Sequence, residues 1–215
     1  MSNTKSTARR DATVIGVVGS AHFLSHFFQL SVAPVFPFIR EEFDVSYTAL
    51  GLVVTVFYAF SGVFQAYAGV LVDRYGARRL LLGGMGLLSA SMALIGLAPG
   101  YWGLIPLAAL AGAGNSVFHP ADFAILNAKV NPARLGRGFS FHAFSGTIGY
   151  AAAPVAVGSL ALMWGWRGAL IVVGLAGLGA TVAMARGREI LRTPGDHPLA
   201  LGAERPPAAA HYAQI

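Results

Sequence analysis

The sequence of 215 residues is 55% hydrophobic and only 11% charged, with a mean hydropathy of +0.62, whereas soluble globular domains carry about 25% charged residues. This composition lies outside soluble globular usage and reads as an integral membrane protein, in which 27 glycines allow close helix approach in lipid. The net charge of +6 comes from basic residues scattered at the ends of apolar runs. That pattern fits positive-inside topology rather than nucleic-acid binding, and the absence of cysteine excludes disulfide and thiolate chemistry.

Taken in order, residues 1–12 carry Lys5, Arg9 and Arg10 without a signal-peptide core, and are expected to form a cytoplasmic tail. A first span is expected over 13–39, kinked near its end by Pro34 and Pro37. Arg40, Glu41, Glu42 and Asp44 then mark the opposite surface, and Ser46 is placed to cap the next helix. A second span covers 46–72, with Gly62, Ala66 and Gly69 as a small-residue face. The polar interruption Gly69-Val-Leu-Val-Asp73-Arg74-Tyr-Gly76-Ala-Arg78-Arg79 follows. An Asp or Arg at the bilayer centre costs roughly 2.5–3.5 kcal/mol, so this segment must be a surface loop, with Gly76 supplying the reversal.

A third span is expected over 77–98, turning at Pro99-Gly100, and a fourth over 101–128, before a second basic loop with Lys129, Arg134 and Arg137. The fifth, 138–163, ends at Trp164-Gly165-Trp166-Arg167, whose indoles suit the interface. The sixth, 166–185, stops at Arg186 and Arg188. Residues 187–215, Pro/Ala-rich toward the end, are expected to be a disordered cytoplasmic tail or linker. Thirteen of the 15 basic residues fall on one side of this scheme and only Arg40 and Arg167 on the other, which puts both termini in the cytoplasm. The fold class is therefore an all-α membrane protein with six transmembrane helices over 13–186.

Ionisable residues inside spans are costly and face a bundle interior or a wet cavity. His22, His26 and Gln29 share one face of the first span; Gly112, Asn115, His119 and Asp122 share one face of the fourth. His142, Ser145, Gly146, Gly149 and Ala153 form a comparable stripe on the fifth, beside Tyr150. If the stripes converge, His22, His26, Asn115, His119, Asp122 and His142 bind substrate or handle protons, because imidazole and carboxylate exchange protons near neutral pH. Gln65 and Asn127 read as helix glue and a helix-end group. The spacings His22/His26 and His119/Asp122 also suit metal ligands, so a metal-handling membrane protein is a rival reading. With no further ligand cluster, no metal site is assigned. No phosphate-binding Gly-rich loop, nucleophile elbow or paired catalytic carboxylates are present, so neither an enzyme nor a cofactor is expected.

The Gly69–Arg79 interruption resembles the signature loop between the second and third spans of major facilitator superfamily transporters. Gly112-Ala-Gly114-Asn115-Ser-Val-Phe118-His119-Pro120 is similar to the fourth span of the fosmidomycin-resistance-like branch, although Ala121 separates the proline from the acidic Asp122. Many drug antiporters carry an arginine on this span, and Ala108 stands in its place. Gly149-Tyr-Ala-Ala-Ala153-Pro154-Val-Ala-Val157-Gly158 resembles the drug–proton antiporter signature, with Ala153 and Val157 at two glycine positions. The resemblance covers about residues 13–186, one N-terminal six-span half built from inverted three-span repeats.

The resemblance implies a secondary transporter in the bacterial inner membrane that moves small organic solutes by alternating access, with proton-coupled export. Gly69, Asp73, Arg74, Gly76, Arg78 and Arg79 would form a conformational latch, and Gly149, Pro154 and Gly158 a tightly packed, kinked helix. The partners implied are the lipid bilayer, a small-molecule substrate and protons, with either a second copy of the chain or a separate C-terminal half. A non-transporting fragment or membrane scaffold is the other alternative.

Overall fold

The computed structural model describes residues 2–187, 189–193 and 196, with side chains from Thr7 onward. Among these residues the fold is helical throughout: α1 (Ser2–Gln29), a 3-10 turn (Ala33–Val35), α2 (Phe36–Phe43), α3 (Tyr47–Tyr75), α4 (Ala77–Ile95), α5 (Tyr101–Asn115), α6 (Phe118–Lys129) and α7 (Pro132–Arg186). Four stretches are long and apolar enough to cross a membrane: Thr7–Phe43, Tyr47–Tyr75, Ala77–Ile95 and Pro132–Arg186.

The expected first span is divided. α1 stops at Gln29, before either proline, where Leu30 and Ser31 bond back to Phe27 and Phe28 in a tighter turn. Pro34 and Pro37 then occupy the opening positions of the 3-10 turn and of α2, where a missing N–H costs nothing. Ser46 caps α3 as expected, its Oγ accepting from Ala49 N at 3.2 Å. Gly76, at φ +91°, makes the reversal into α4, a conformation that suits glycine.

The expected fourth span is broken at Ser116–Val117, ahead of Pro120. Proline lacks an N–H to bond the carbonyl of residue 116, so α6 starts afresh at Phe118. The expected fifth and sixth spans form the single long element α7. Non-helical backbone at Gly165, φ +73°, interrupts it at the Trp-Gly-Trp sequence.

α1 packs on α7, α3 on α5, and α4 on both α5 and α7. Close approach explains part of the glycine content. A Cβ on Gly114 of α5 would stand 2.8 Å from the Gly84 carbonyl of α4, so these backbones touch only because side chains are absent. The core runs through Phe28, Met85, Leu88, Leu104, Phe118 and Ile125. Large apolar side chains such as Leu162 and Val155 point outward, 80% and 72% exposed, which gives the bundle the apolar exterior of a protein solvated by lipid.

Candidate functional site

The three polar stripes meet. His22 and His26 come from α1, His119 and Asp122 from α6, and His142 from α7. Phe118, Ala121 and Asp122 turn into the core because the restart of α6 at Phe118 sets its rotation. Asp122 is completely buried. Its Oδ2 lies 3.0 Å from His142 Nε2 in a hydrogen bond and 3.4 Å from His22 Nδ1 in an ionic approach. The His22 and His142 rings stack at 3.5 Å between centroids; His26 and His119 stand edge-on to His22 at 4.4 and 5.0 Å. His22 and His142 are buried, whereas His26 and His119 are half-buried. Space for the rings comes from Gly146, where a Cβ would stand 2.9 Å from both His22 and His26. Several polar atoms here have no protein hydrogen-bond partner among the described residues: Nδ1 of His22, both ring nitrogens of His26 and Oδ1 of Asp122.

Asn115 belongs to a separate network. Its Oδ1 accepts from Ser25 Oγ at 2.8 Å and Gln29 Nε2 at 3.3 Å, and its Nδ2 donates to Ser61 Oγ at 2.9 Å. Tyr150 OH donates to Gln29 Oε1 at 2.6 Å. The network joins α1, α3, α5 and α7. Sequence reading grouped Asn115 with the histidines because it shares their helical face, and left Ser25 and Ser61 unassigned. Gln65 is exposed, and Asn127 Nδ2 donates to the Phe123 carbonyl near the end of α6. A cavity of about 420 Å³ opens between α1 and α7, lined by apolar side chains including Phe23, Phe141 and Phe144, with Ser145 at its wall. Ser145 Oγ donates to the His142 carbonyl at 2.7 Å.

The residues expected to form the latch lie at one end of the bundle. Asp73, Arg74 and Gly69 are exposed. Arg74 lies over the Tyr75 ring, 5.4 Å from its centroid. Arg78 Nε approaches Asp196 Oδ1 at 3.8 Å, and any Cβ on Gly76 would collide with Asp196. Asp196 Oδ2 accepts from Thr193 N and Oγ1, and Leu191 is fully buried. These residues fall in the stretch expected to be disordered; Arg188, Arg205 and the remainder of that stretch lie outside the described residues. At the same end Arg134 Nε donates to Asp11 Oδ2 at 2.7 Å. Burial holds the nearby Lys129 ammonium below its ordinary range; Arg10 acts in the same direction, and Asp196 and Glu189 oppose it.

The opposite end is tied by Arg167, which the sequence marked only as an interfacial residue. Its guanidinium donates to Glu42 Oε1 at 2.7 Å and to the Gly96 and Ala98 carbonyls at 3.1 and 2.7 Å, while Trp166 Nε1 donates to Glu42 Oε2 at 2.6 Å. Opposite charges at the ends of two expected spans were the available signal. Gly149 packs against the Phe23 carbonyl of α1, Pro154 lies within α7, and Gly158 has open space around it.

The model of the Major Facilitator Superfamily matches residues 18–211. The chain belongs to that superfamily. It is 31% identical over 140 residues to a probable L-galactonate transporter of Escherichia coli (strain K12), covering 65% of this chain and 31% of that protein. It is 26% identical over 179 residues to the fosmidomycin resistance protein of the same strain, covering 83% of this chain and 44% of the relative. A peptide transporter POT solved in complex with alafosfalin has the same fold: TM-score 0.72, 19% identity, covering 93% of this chain and 42% of that one. The chain thus spans less than half the length of these relatives. Superfamily membership and the apolar helices together make it an integral membrane protein whose family acts on small molecules.

Proposed function

We propose that the chain forms one six-span half of a secondary active transporter that moves small organic solutes by alternating access, with proton-coupled export. The observation that carries this reading is Asp122, wholly buried where α1, α6 and α7 meet, with His142 and His22 against one of its oxygens. An ionisable group is costly inside a membrane unless it serves a pathway. A carboxylate flanked by imidazoles can accept a proton from one side and release it when access changes. His22, His26, His119, Asp122 and His142 are the coupling and binding groups, and Asn115 holds the helices that carry them.

Six crossings follow if α5 and α6 form one interrupted span and Gly165 divides α7 into two, which would give the inverted three-span repeats. The distribution of basic residues supports cytoplasmic termini, and the bacterial relatives support an inner-membrane location. Export is supported by the fosmidomycin resistance protein and by a multidrug resistance protein B homolog of Mycobacterium tuberculosis, 33% identical over 118 residues, 55% of this chain and 22% of that one. The latch residues would make contacts in one state and lose them in the other, biasing the equilibrium by the difference. The second half of the path comes from a second copy or a separate C-terminal half.

The test is solute flux in proteoliposomes under an imposed pH gradient, with the chain alone and with a co-reconstituted C-terminal half. Asp122→Asn is expected to abolish the pH-driven part of the flux while solute exchange without a gradient persists. Absence of flux by the chain in either reconstitution sinks the transporter reading. Unchanged coupling in Asp122→Asn removes that residue from the mechanism.

A further inference from the structure

Polar atoms without partners are expensive in a buried site: a donor or acceptor left unsatisfied costs about 1–3 kcal/mol. Such atoms gather in one place here: both ring nitrogens of His26, Oδ1 of Asp122, and Nδ1 of His22, which Asp122 Oδ2 approaches at 3.4 Å; each calls for an explanation. His22, His26 and His119 each present one ring nitrogen, and these donor atoms lie within 4.8 Å of one another. Tetrahedral donors at zinc bond lengths stand about 3.3 Å apart, so small side-chain rotations would close the set. The missing side chain at Gly146 is what lets the His22 and His26 rings lie this close to α7.

We infer that His22, His26 and His119 form a binding site for a divalent first-row transition ion such as Zn²⁺ or Co²⁺, with Asp122 and His142 as its supporting shell. Three neutral imidazoles suit such ions and not Mg²⁺ or Ca²⁺, which take oxygen ligands. Asp122 Oδ2 stands 3.4 Å from His22 Nδ1, placed to orient that ring for ligation through Nε2 and to offset the ion's charge in an apolar surrounding. His142 anchors that carboxylate through its 3.0 Å hydrogen bond. His26 and His119 are half-buried as residues, while both ring nitrogens of His26 are closed to solvent; the fourth coordination position would go to a water or a solute donor atom admitted to the chamber. The inference deepens the transporter reading by naming a ligand class for the same chamber, and it rests on that reading for access from solution.

The experiment uses the full chain in detergent, freed of any affinity tag and chelator-washed, and titrated with Co²⁺ by visible absorption and with Zn²⁺ by calorimetry. The expected result is one equivalent bound, with the intense visible bands of four-coordinate Co²⁺, and no uptake of Mg²⁺ or Ca²⁺. His119→Gln should remove the bands. Asp122→Asn should weaken binding by about 10- to 100-fold while leaving their shape, which a merely structural role would not do. His197→Gln with His211→Gln should change nothing. The inference is overturned if the unaltered chain takes up no stoichiometric Co²⁺ or gives only weak octahedral bands. It is also overturned if Ca²⁺ binds equally well, or if affinity depends on His197 and His211 instead. Binding is read at equilibrium without flux, so a chain that holds Co²⁺ but moves no solute keeps the site and loses the transporter reading, and the reverse outcome does the opposite.

Discussion

Two polar clusters share α1 and α7 and differ in how completely they are bonded. Around Asn115, five side chains from α1, α3, α5 and α7 exchange hydrogen bonds of 2.6–3.4 Å, and none of their polar atoms is among those buried without a partner in the described residues. Around Asp122, four imidazoles and a carboxylate crowd together with orphaned nitrogens and an orphaned oxygen. A satisfied network in a membrane interior holds helices in register. An unsatisfied one stores a demand that a proton, an ion or a solute can meet. On the proposed reading the first cluster fixes the frame, and the second is where a ligand gains most by arriving.

The comparison breaks hardest if the frame itself is pushed apart. Gly149 touches the backbone of α1 at Phe23 and Phe27, so any Cβ there would separate α1 from α7 and disturb both clusters together. Gly149→Ala is expected to cost about 1–3 kcal/mol through overpacking, read as a lowered midpoint of thermal unfolding in detergent. Gly158, in the same signature-like stretch, has nothing within 4 Å of its would-be Cβ. Gly158→Ala should stay within about 0.5 kcal/mol of the parent; equal losses at both positions would mean that α1 does not set the constraint.

A sharper form sets one cluster against the other. Asn115→Leu leaves Ser25, Ser61 and Gln29 without their common partner and should destabilise by about 1–2 kcal/mol. His26→Leu removes a ring whose two nitrogens have no protein partner, so stability should hold or rise although Co²⁺ binding falls. Unfolding midpoints of the two variants in one detergent check this. A larger loss at His26 than at Asn115 would reverse the assignment of frame and chamber.

Much of the fold was legible because its signals are local. Apolar runs gave the helices, Ser46 gave a cap, Gly76 gave a reversal, and helical spacing gave the stripes that bring His22, His26, His119, Asp122 and His142 together. What escaped is long-range or depends on where a helix is cut. Glu42 and Arg167 are 125 residues apart, and Gln29 and Tyr150 are 121 apart; no window along the chain contains either pair. Asn115 looked like a member of the histidine chamber because periodicity treated 101–128 as one helix. The break at Ser116–Val117 separates Asn115, on α5, from His119 and Asp122, on α6. Asp196 was assigned to the tail on composition, which carries no information about a single carboxylate docking on Arg78 and Gly76.

The smallest expected effect tests whether the Asn115 network is a frame or an extension of the chamber. Tyr150 belongs to both neighbourhoods: its hydroxyl donates to Gln29 at 2.6 Å, and its ring stands edge-on to His26 at 4.3 Å between centroids. Tyr150→Phe deletes the hydrogen bond and keeps the ring contact. Interhelical hydrogen bonds in membrane proteins average about 0.6 kcal/mol, so the unfolding midpoint should fall by an amount near the limit of detection. Co²⁺ affinity should be unchanged, because the ring beside His26 remains. Tyr150→Leu, which removes both, should leave stability close to that of Tyr150→Phe but shift Co²⁺ affinity through His26. If Tyr150→Phe alone weakens Co²⁺ binding, the hydroxyl is coupled to the imidazoles and the two clusters act as one.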